Sequence, residues 1–213
     1  MADFKRLGEV LDAAREAPPP AISQPGNDTP PAKIRGVPRA RWETDSFENF
    51  ELARNPTMKP AVEACRAVAS GERWSCFLTG GFGNGKTHLA IAAMREHGAC
   101  HYFWKVPDFL SWVRRSVFDE GWELDHLLGS YREPPGGLVV FDDLGAENAT
   151  DWACEQLYRV LDSRYDSKLP TIITSNSPLA AIDGRILSRF REGLVVCRGQ
   201  DVRAPKREER EAN

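Results

Sequence analysis

Ser75-Cys76-Phe77-Leu78-Thr79-Gly80-Gly81-Phe82-Gly83-Asn84-Gly85-Lys86-Thr87-His88-Leu89-Ala90-Ile91-Ala92-Ala93 reads as a short apolar strand, a glycine-rich loop and the first turns of an apolar helix. The eight residues Gly80 to Thr87 match the pattern of a phosphate-binding loop, and the strand before and helix after are the context that pattern requires. Glycines let successive backbone N–H groups curl inward toward phosphate oxygens, and the helix amino terminus adds favourable partial positive charge. In that cradle, formed by Gly80, Gly81, Phe82, Gly83, Asn84 and Gly85, Lys86 is expected to reach the β- and γ-phosphates and the Thr87 hydroxyl to ligate magnesium.

Outward from this loop, helical patterns alternate with short apolar runs, the signature of a parallel sheet with helices on both faces. Strands are predicted at Ser75 to Thr79, His101 to Lys105, Leu138 to Phe141, Thr171 to Thr174 and Leu194 to Cys197. Helices are predicted at Met58 to Ser70, Lys86 to His97, Pro107 to Phe118, Asp151 to Tyr165 and Ile186 to Arg191. The fold class is therefore α/β, with a five-stranded parallel sheet. Upstream, Phe4, Leu7, Val10, Leu11 and Ala14 recur at helical spacing within residues 1–17, giving a short amphipathic helix suited to a groove on a partner, or to a frayed terminus. Seven of the fifteen prolines fall between Pro18 and Pro38, so 18–40 reads as a linker. The ATPase domain is placed at 41–203, and the charged stretch 204–213 reads as a disordered tail.

The run Leu138-Val139-Val140-Phe141 ends in Asp142-Asp143. Two carboxylates at the carboxyl end of a buried strand need a counter-charge, and magnesium supplies one. Asp142 is expected to position the metal and Asp143 to orient or deprotonate the attacking water, with Glu147 an alternative base or a partner for the next helix dipole. After the apolar strand Thr171-Ile172-Ile173-Thr174 come Ser175 and Asn176, which resemble the sensor-1 element of AAA+ ATPases; an Asx turn closing the strand would use the same residues. Gly184-Arg185-Ile186-Leu187-Ser188-Arg189-Phe190 resembles the box that carries an arginine finger, with Arg189 the finger and Arg185 its second arginine. A planar guanidinium suits a phosphoryl group on a neighbour's nucleotide, although two arginines four apart also fit a solvated helix face.

Taken together, Gly85-Lys86-Thr87-His88-Leu89-Ala90, Phe141-Asp142-Asp143-Leu144-Gly145-Ala146-Glu147, Thr174-Ser175-Asn176 and Arg185-Ile186-Leu187-Ser188-Arg189 are similar to the DnaC and IstB-like AAA+ ATPase family. The likeness covers about Lys59 to Arg203. It implies an AAA+ core with little or no C-terminal lid, ATP and Mg2+ as ligands, and His88 among the nucleotide-binding residues. It also implies self-assembly through Arg189, and makes Arg203, in Gly199-Gln200-Asp201-Val202-Arg203, a reader of the γ-phosphate in its own subunit. For function it implies an ATP-dependent loader that binds a hexameric replicative DNA helicase and helps place it on single-stranded DNA. The alternative is a transposition helper that acts on duplex DNA with a transposase.

In such loaders an insertion after the second strand lines a DNA channel, and Val106 to Gly137 is long enough to hold one. Its Trp112, Arg114, Arg115, Phe118, Trp122, His126, Tyr131 and Arg132 could stack on bases and pair with phosphates, or Phe109, Leu110, Val113 and Val117 could form the core face of an ordinary amphipathic helix. Lys33, Arg35, Arg39, Arg41 and Trp42 form a further basic cluster. Overall charge gives no support for bulk electrostatic grip, because 28 basic residues face 31 acidic ones. Cys65, Cys76, Cys100, Cys154 and Cys197 lack the paired spacing of zinc ribbons or redox dithiols and are expected to be reduced and mostly buried. With no signal core and no apolar run near the ~18 residues of a membrane span, the expected location is cytoplasmic.

Overall fold

The computed structural model describes residues 34–98, 101–118, 137–145 and 150–201. Its elements are β1 (Ile34–Arg35), α1 (Arg39–Thr44), α2 (Lys59–Ala69), β2 (Ser75–Gly80), α3 (Lys86–His97), β3 (His101–Lys105), α4 (Val106–Phe118), β4 (Val139–Leu144), α5 (Asp151–Asp166), β5 (Thr171–Ser175), α6 (Gly184–Arg189) and β6 (Leu194–Cys197). The strands form one parallel sheet in the order β1-β3-β4-β5-β2-β6.

Alternation along the central strands builds two cores. Cys76, Leu78, Val140 and Ile172 face one way and meet Met58, Ala61, Cys65 and Val68 around α2 with Leu89, Ala90 and Met94 of α3. Phe77, Val139, Phe141 and Ile173 face the other way and meet Phe109 and Val113 of α4, Leu157, Val160 and Leu161 of α5, and Ile186 of α6. Because both faces are covered, β2, β4 and β5 read as nearly continuous apolar runs. Helix α3 is buried along Leu89 to Met94, which accounts for its unbroken apolar stretch. Among the polar side chains buried in this interior, the largest is an arginine. Arg164 of α5 is fully buried and donates to Thr171 Oγ1 at 2.9 Å, Gly137 O at 3.2 Å and Pro170 O at 2.7 Å, tying the helix to the amino ends of β4 and β5.

All five predicted strands are present, with three informative differences. A sixth strand, β1, lies within the stretch expected as linker and pairs with His101 and Tyr102 at the sheet edge. Strand β4 continues to Leu144, so Asp142 and Asp143 sit inside the strand rather than after it. Helix α6 runs from Gly184 to Arg189, two residues earlier than expected, because the Asp183 carboxylate caps it by accepting from Arg185 N–H. The expected partner helix at 1–17 and the tail at 204–213 lie outside the described residues.

Candidate nucleotide site

The loop after β2, the Asp142-Asp143 step of β4 and the end of β5 meet at the carboxyl edge of three adjacent strands, where open α/β sheets bind ligands. Gly80 has φ of +140°, and a Cβ there would lie 2.1 Å from the Cys197 carbonyl oxygen, so only glycine lets the loop pass β6. Gly85 caps α3 at φ of +95°, with the Phe50 ring 2.5 Å from where its Cβ would be. Lys86, nearly buried, donates to Gly80 O at 2.9 Å, Gly81 O at 2.6 Å and Asn84 Oδ1 at 3.1 Å. Asn84 in turn donates to Cys197 O at 3.3 Å, so β6 braces the cradle.

Across from the cradle, Thr87 Oγ1 donates to Asp142 Oδ1 at 2.9 Å, and Thr174 Oγ1 donates to the same oxygen at 2.6 Å. Asp142 is 1% exposed. Burial raises its pKa above the ordinary carboxylate value; the Thr174 hydrogen bond opposes the rise, and the neighbouring Asp143 adds to it. A buried carboxylate with a hydroxyl beside it is a hard oxygen donor set, and it fits a cation such as magnesium, which keeps several water and phosphate ligands. Among the described residues, no cluster of three or more His, Cys, Asp or Glu side chains is able to hold a metal alone. Asp143 has φ of +61°, and its Oδ1 accepts from Asn176 Nδ2 at 2.7 Å. The structure thus brings Lys86, Thr87, Asp142, Asp143 and Asn176 together.

A cavity of about 200 Å³ opens beside the cradle, lined by Asn49, Phe50, Glu51, Arg54, Asn55, Asn84, Gly85 and His88. Sequence reasoning missed its wall at 49–55, since those residues lie outside every motif. His88 anchors that wall: its Nε2 lies 2.7 Å from Ser46 O, and its ring meets Phe50 edge-on at 5.4 Å. His88 therefore shapes the cavity as well as lining it.

Arg189 lies elsewhere. It pairs with Asp162 of α5 and lies over the Tyr158 ring at 4.9 Å. Arg185 pairs with Asp183 at 2.8 Å and Glu155 at 3.2 Å. None of these contacts reaches the cradle of the same chain. Arg203 and Glu147 lie outside the described residues, as do Trp122, His126, Tyr131, Arg132 and Lys33. Trp112 stacks on Trp104 at 5.5 Å and packs against the second core, whereas Arg114 and Arg115 are exposed. In the basic cluster, Arg39 pairs with Glu43 and Arg41 with Asp45. Cys65, Cys76, Cys154 and Cys197 are free thiols, all but Cys154 buried. Among the described residues, no helix is long and apolar enough to cross a membrane.

Residues 46–186 match the model of the IstB-like ATP binding protein family. This chain belongs to that family. The IstB-like chain is 30% identical over 153 residues to an ATP-binding protein of an insertion sequence from Mycobacterium tuberculosis, covering 68% of this chain and 59% of the relative. It is 29% identical over 196 residues to the chromosomal replication initiator protein DnaA of Bordetella pertussis, covering 83% of this chain. It is also 31% identical over 111 residues to the replicative helicase loader DnaI of Bacillus subtilis, covering 50% of this chain and 34% of that one. The chain spans 40% of the length of the DnaA relative. Among solved structures, the DnaC helicase loader superposes with a TM-score of 0.63 at 23% identity, covering 75% of this chain and 98% of that one. DnaA solved bound to AMPPCP and single-stranded DNA gives 0.62 at 21% identity, covering 72% and 49%. These likenesses identify the AAA+ core of the IstB-like chain; the wall at 49–55 falls within the family match even though its place beside the cradle became visible only in the fold.

Proposed function

We propose that this chain is a magnesium-dependent ATPase that binds a replicative DNA helicase and helps place it on single-stranded DNA. The observation that carries the ATPase reading is the hydrogen bond from Thr87, next to Lys86 of the cradle, to the buried carboxylate of Asp142. Lys86 and the loop N–H groups bind the β- and γ-phosphates of ATP, and the cavity beside Phe50 and His88 takes the rest of the nucleotide. Thr87 and Asp142 would hold a magnesium ion, which when bound would neutralise charge on the phosphates. Asp143, steadied by Asn176, accepts the proton of the attacking water or orients it. Arg189, outside its own cradle, serves the nucleotide of a neighbouring copy, so the active form is an oligomer.

The helicase-loading reading is supported by the likeness to the Bacillus loader and by the amphipathic pattern of residues 1–17. The Mycobacterium relative favours a second reading, a transposition helper acting on duplex DNA with a transposase. One set of measurements separates them. ATP hydrolysis is followed for the wild-type chain and Lys86→Ala, with single-stranded DNA, duplex DNA and purified replicative helicase added in turn. Loss of turnover in Lys86→Ala, with helicase captured by the full chain but not by a chain lacking residues 1–33, is the expected result. Helicase capture that survives the deletion defeats the role of the amino-terminal segment, and stimulation by duplex DNA without helicase capture selects the transposition reading.

A further inference from the structure

Strands β4 and β5 run in parallel register from Val139↔Thr171 to Phe141↔Ile173, and the next pair is Leu144↔Ser175. Three steps on β4 therefore oppose two on β5, and the surplus falls on Asp142 and Asp143. Such a bulge disrupts the backbone ladder and re-aims side chains. Here Asp143 is driven to φ of +61°, a conformation costly for a non-glycine residue and kept only where surroundings impose it.

The surroundings are four consecutive polar side chains of β5 and its exit. Ser175 Oγ donates to Leu144 O at 2.6 Å, Asn176 Nδ2 donates to Asp143 Oδ1 at 2.7 Å, and Ser177 Oγ donates to Gly145 O at 3.2 Å. Thr174 differs from these three by joining both aspartates. Its hydroxyl hydrogen goes to Asp142 Oδ1 at 2.6 Å, and its oxygen accepts the Asp143 N–H at 3.1 Å. A hydroxyl has one hydrogen to give and lone pairs to accept, so the two bonds are compatible and fix its orientation. At 1% exposure no solvent competes with them.

We infer that Thr174 is a positioning residue for hydrolysis: its one buried hydroxyl locks the metal-facing carboxylate of Asp142 and pins the bulge that aims Asp143. This rests on the magnesium ATPase reading above. Thr174 and Thr87 both donate to Oδ1, so two hydroxyls fix the orientation of the carboxylate that would hold the cation. Asn176 holds the Asp143 side chain, whereas Thr174 holds its backbone, so the two residues constrain different degrees of freedom of the same base.

The test uses the full chain and three substitutions. Thr174→Val keeps the shape and removes the hydroxyl; Thr174→Ser keeps the hydroxyl; Thr174→Cys keeps a small side chain but donates weakly. Mn2+ affinity is measured by electron paramagnetic resonance with ATP present, ATP affinity with EDTA, and kcat separately from KM. In Thr174→Val, Mn2+ affinity and kcat each fall about 10–100-fold, as for other groups that orient metal ligands, while metal-free ATP affinity is unchanged. Thr174→Ser retains most of both, and Thr174→Cys follows valine, which keeps the comparison decisive if the valine variant does not fold. Wild-type Mn2+ affinity and turnover in Thr174→Val, or equal damage in Thr174→Ser, overturns the inference. A wild-type chain that binds no Mn2+ with ATP overturns the magnesium reading itself and this inference with it.

Discussion

Asp143 holds three constraints at once: a positive φ, a backbone N–H bonded to Thr174, and a carboxylate bonded to Asn176. A residue so restrained is ready to act without reorganising, which is what a general base or water-orienting group requires. Asp143→Asn keeps the size and the bulge but cannot take a proton. Steady-state assays should show turnover reduced about 10²–10⁴-fold with ATP affinity retained; unchanged turnover would move the base role to Glu147. Arg164 makes the complementary case of a residue that serves folding alone. Burial lowers its pKa to about 9, which still leaves it charged at neutral pH, and it satisfies three acceptors. Arg164→Met strands those acceptors and should cost about 2–4 kcal/mol in urea unfolding, with no change in ATP affinity per folded molecule. No motif pointed to Arg164: an arginine on a helix is solvated by default, and only the packing of α5 against two strand ends buries it.

Between elements, the α5–α6 pair decides what Arg189 can do. Asp162 and Tyr158 hold its guanidinium on the surface of its own subunit, beside Arg185 with Asp183 and Glu155. To reach a neighbour's phosphate, Arg189 must exchange Asp162 for that phosphate. The pair is about 30% exposed on both sides, so it is a weak hold of about 0.5–1 kcal/mol. Asp162→Asn should therefore raise specific ATPase activity twofold to fivefold at protein concentrations where assembly is limiting, and leave the plateau at high concentration unchanged. A titration of activity against protein concentration checks this, and a curve superimposable on wild type would rule the exchange out. The arginines were legible in the sequence by type and spacing; their restraint was not, because Asp162 is 27 residues from Arg189 and belongs to another helix.

At the scale of the whole molecule, the nucleotide site is a junction of segments distant along the chain. The wall at 49–55 packs on the start of α3 through His88, and the far end of the chain returns to it where Asn55 donates to Gln200 O at 3.4 Å. His97, at the other end of α3, gives a handle on the stability of this assembly. Burial lowers its pKa below the usual histidine value of about 6.5. The unfolded chain takes up a proton near pH 6.5 while the folded chain resists it, so this contribution is intact above that pH and is lost as pH falls below it. Melting temperature should drop between pH 7.5 and pH 5.5, and His97→Gln should flatten that slope; an unchanged slope would show that His97 does not carry it. The sequence by itself determined the strand–loop–helix of the cradle, the acidic strand end and the alternation of helices and strands, because backbone propensity and hydrophobic period act over a few neighbouring residues. Only the tertiary structure decided that Asp142 and Asp143 occupy a bulge bonded to Thr174, that Asn49, Phe50, Glu51, Arg54 and Asn55 wall the cavity beside the cradle, and that Arg189 rests on Asp162. Each depends on contacts between strands or helices whose register is set by how both cores close, and no local pattern encodes that register.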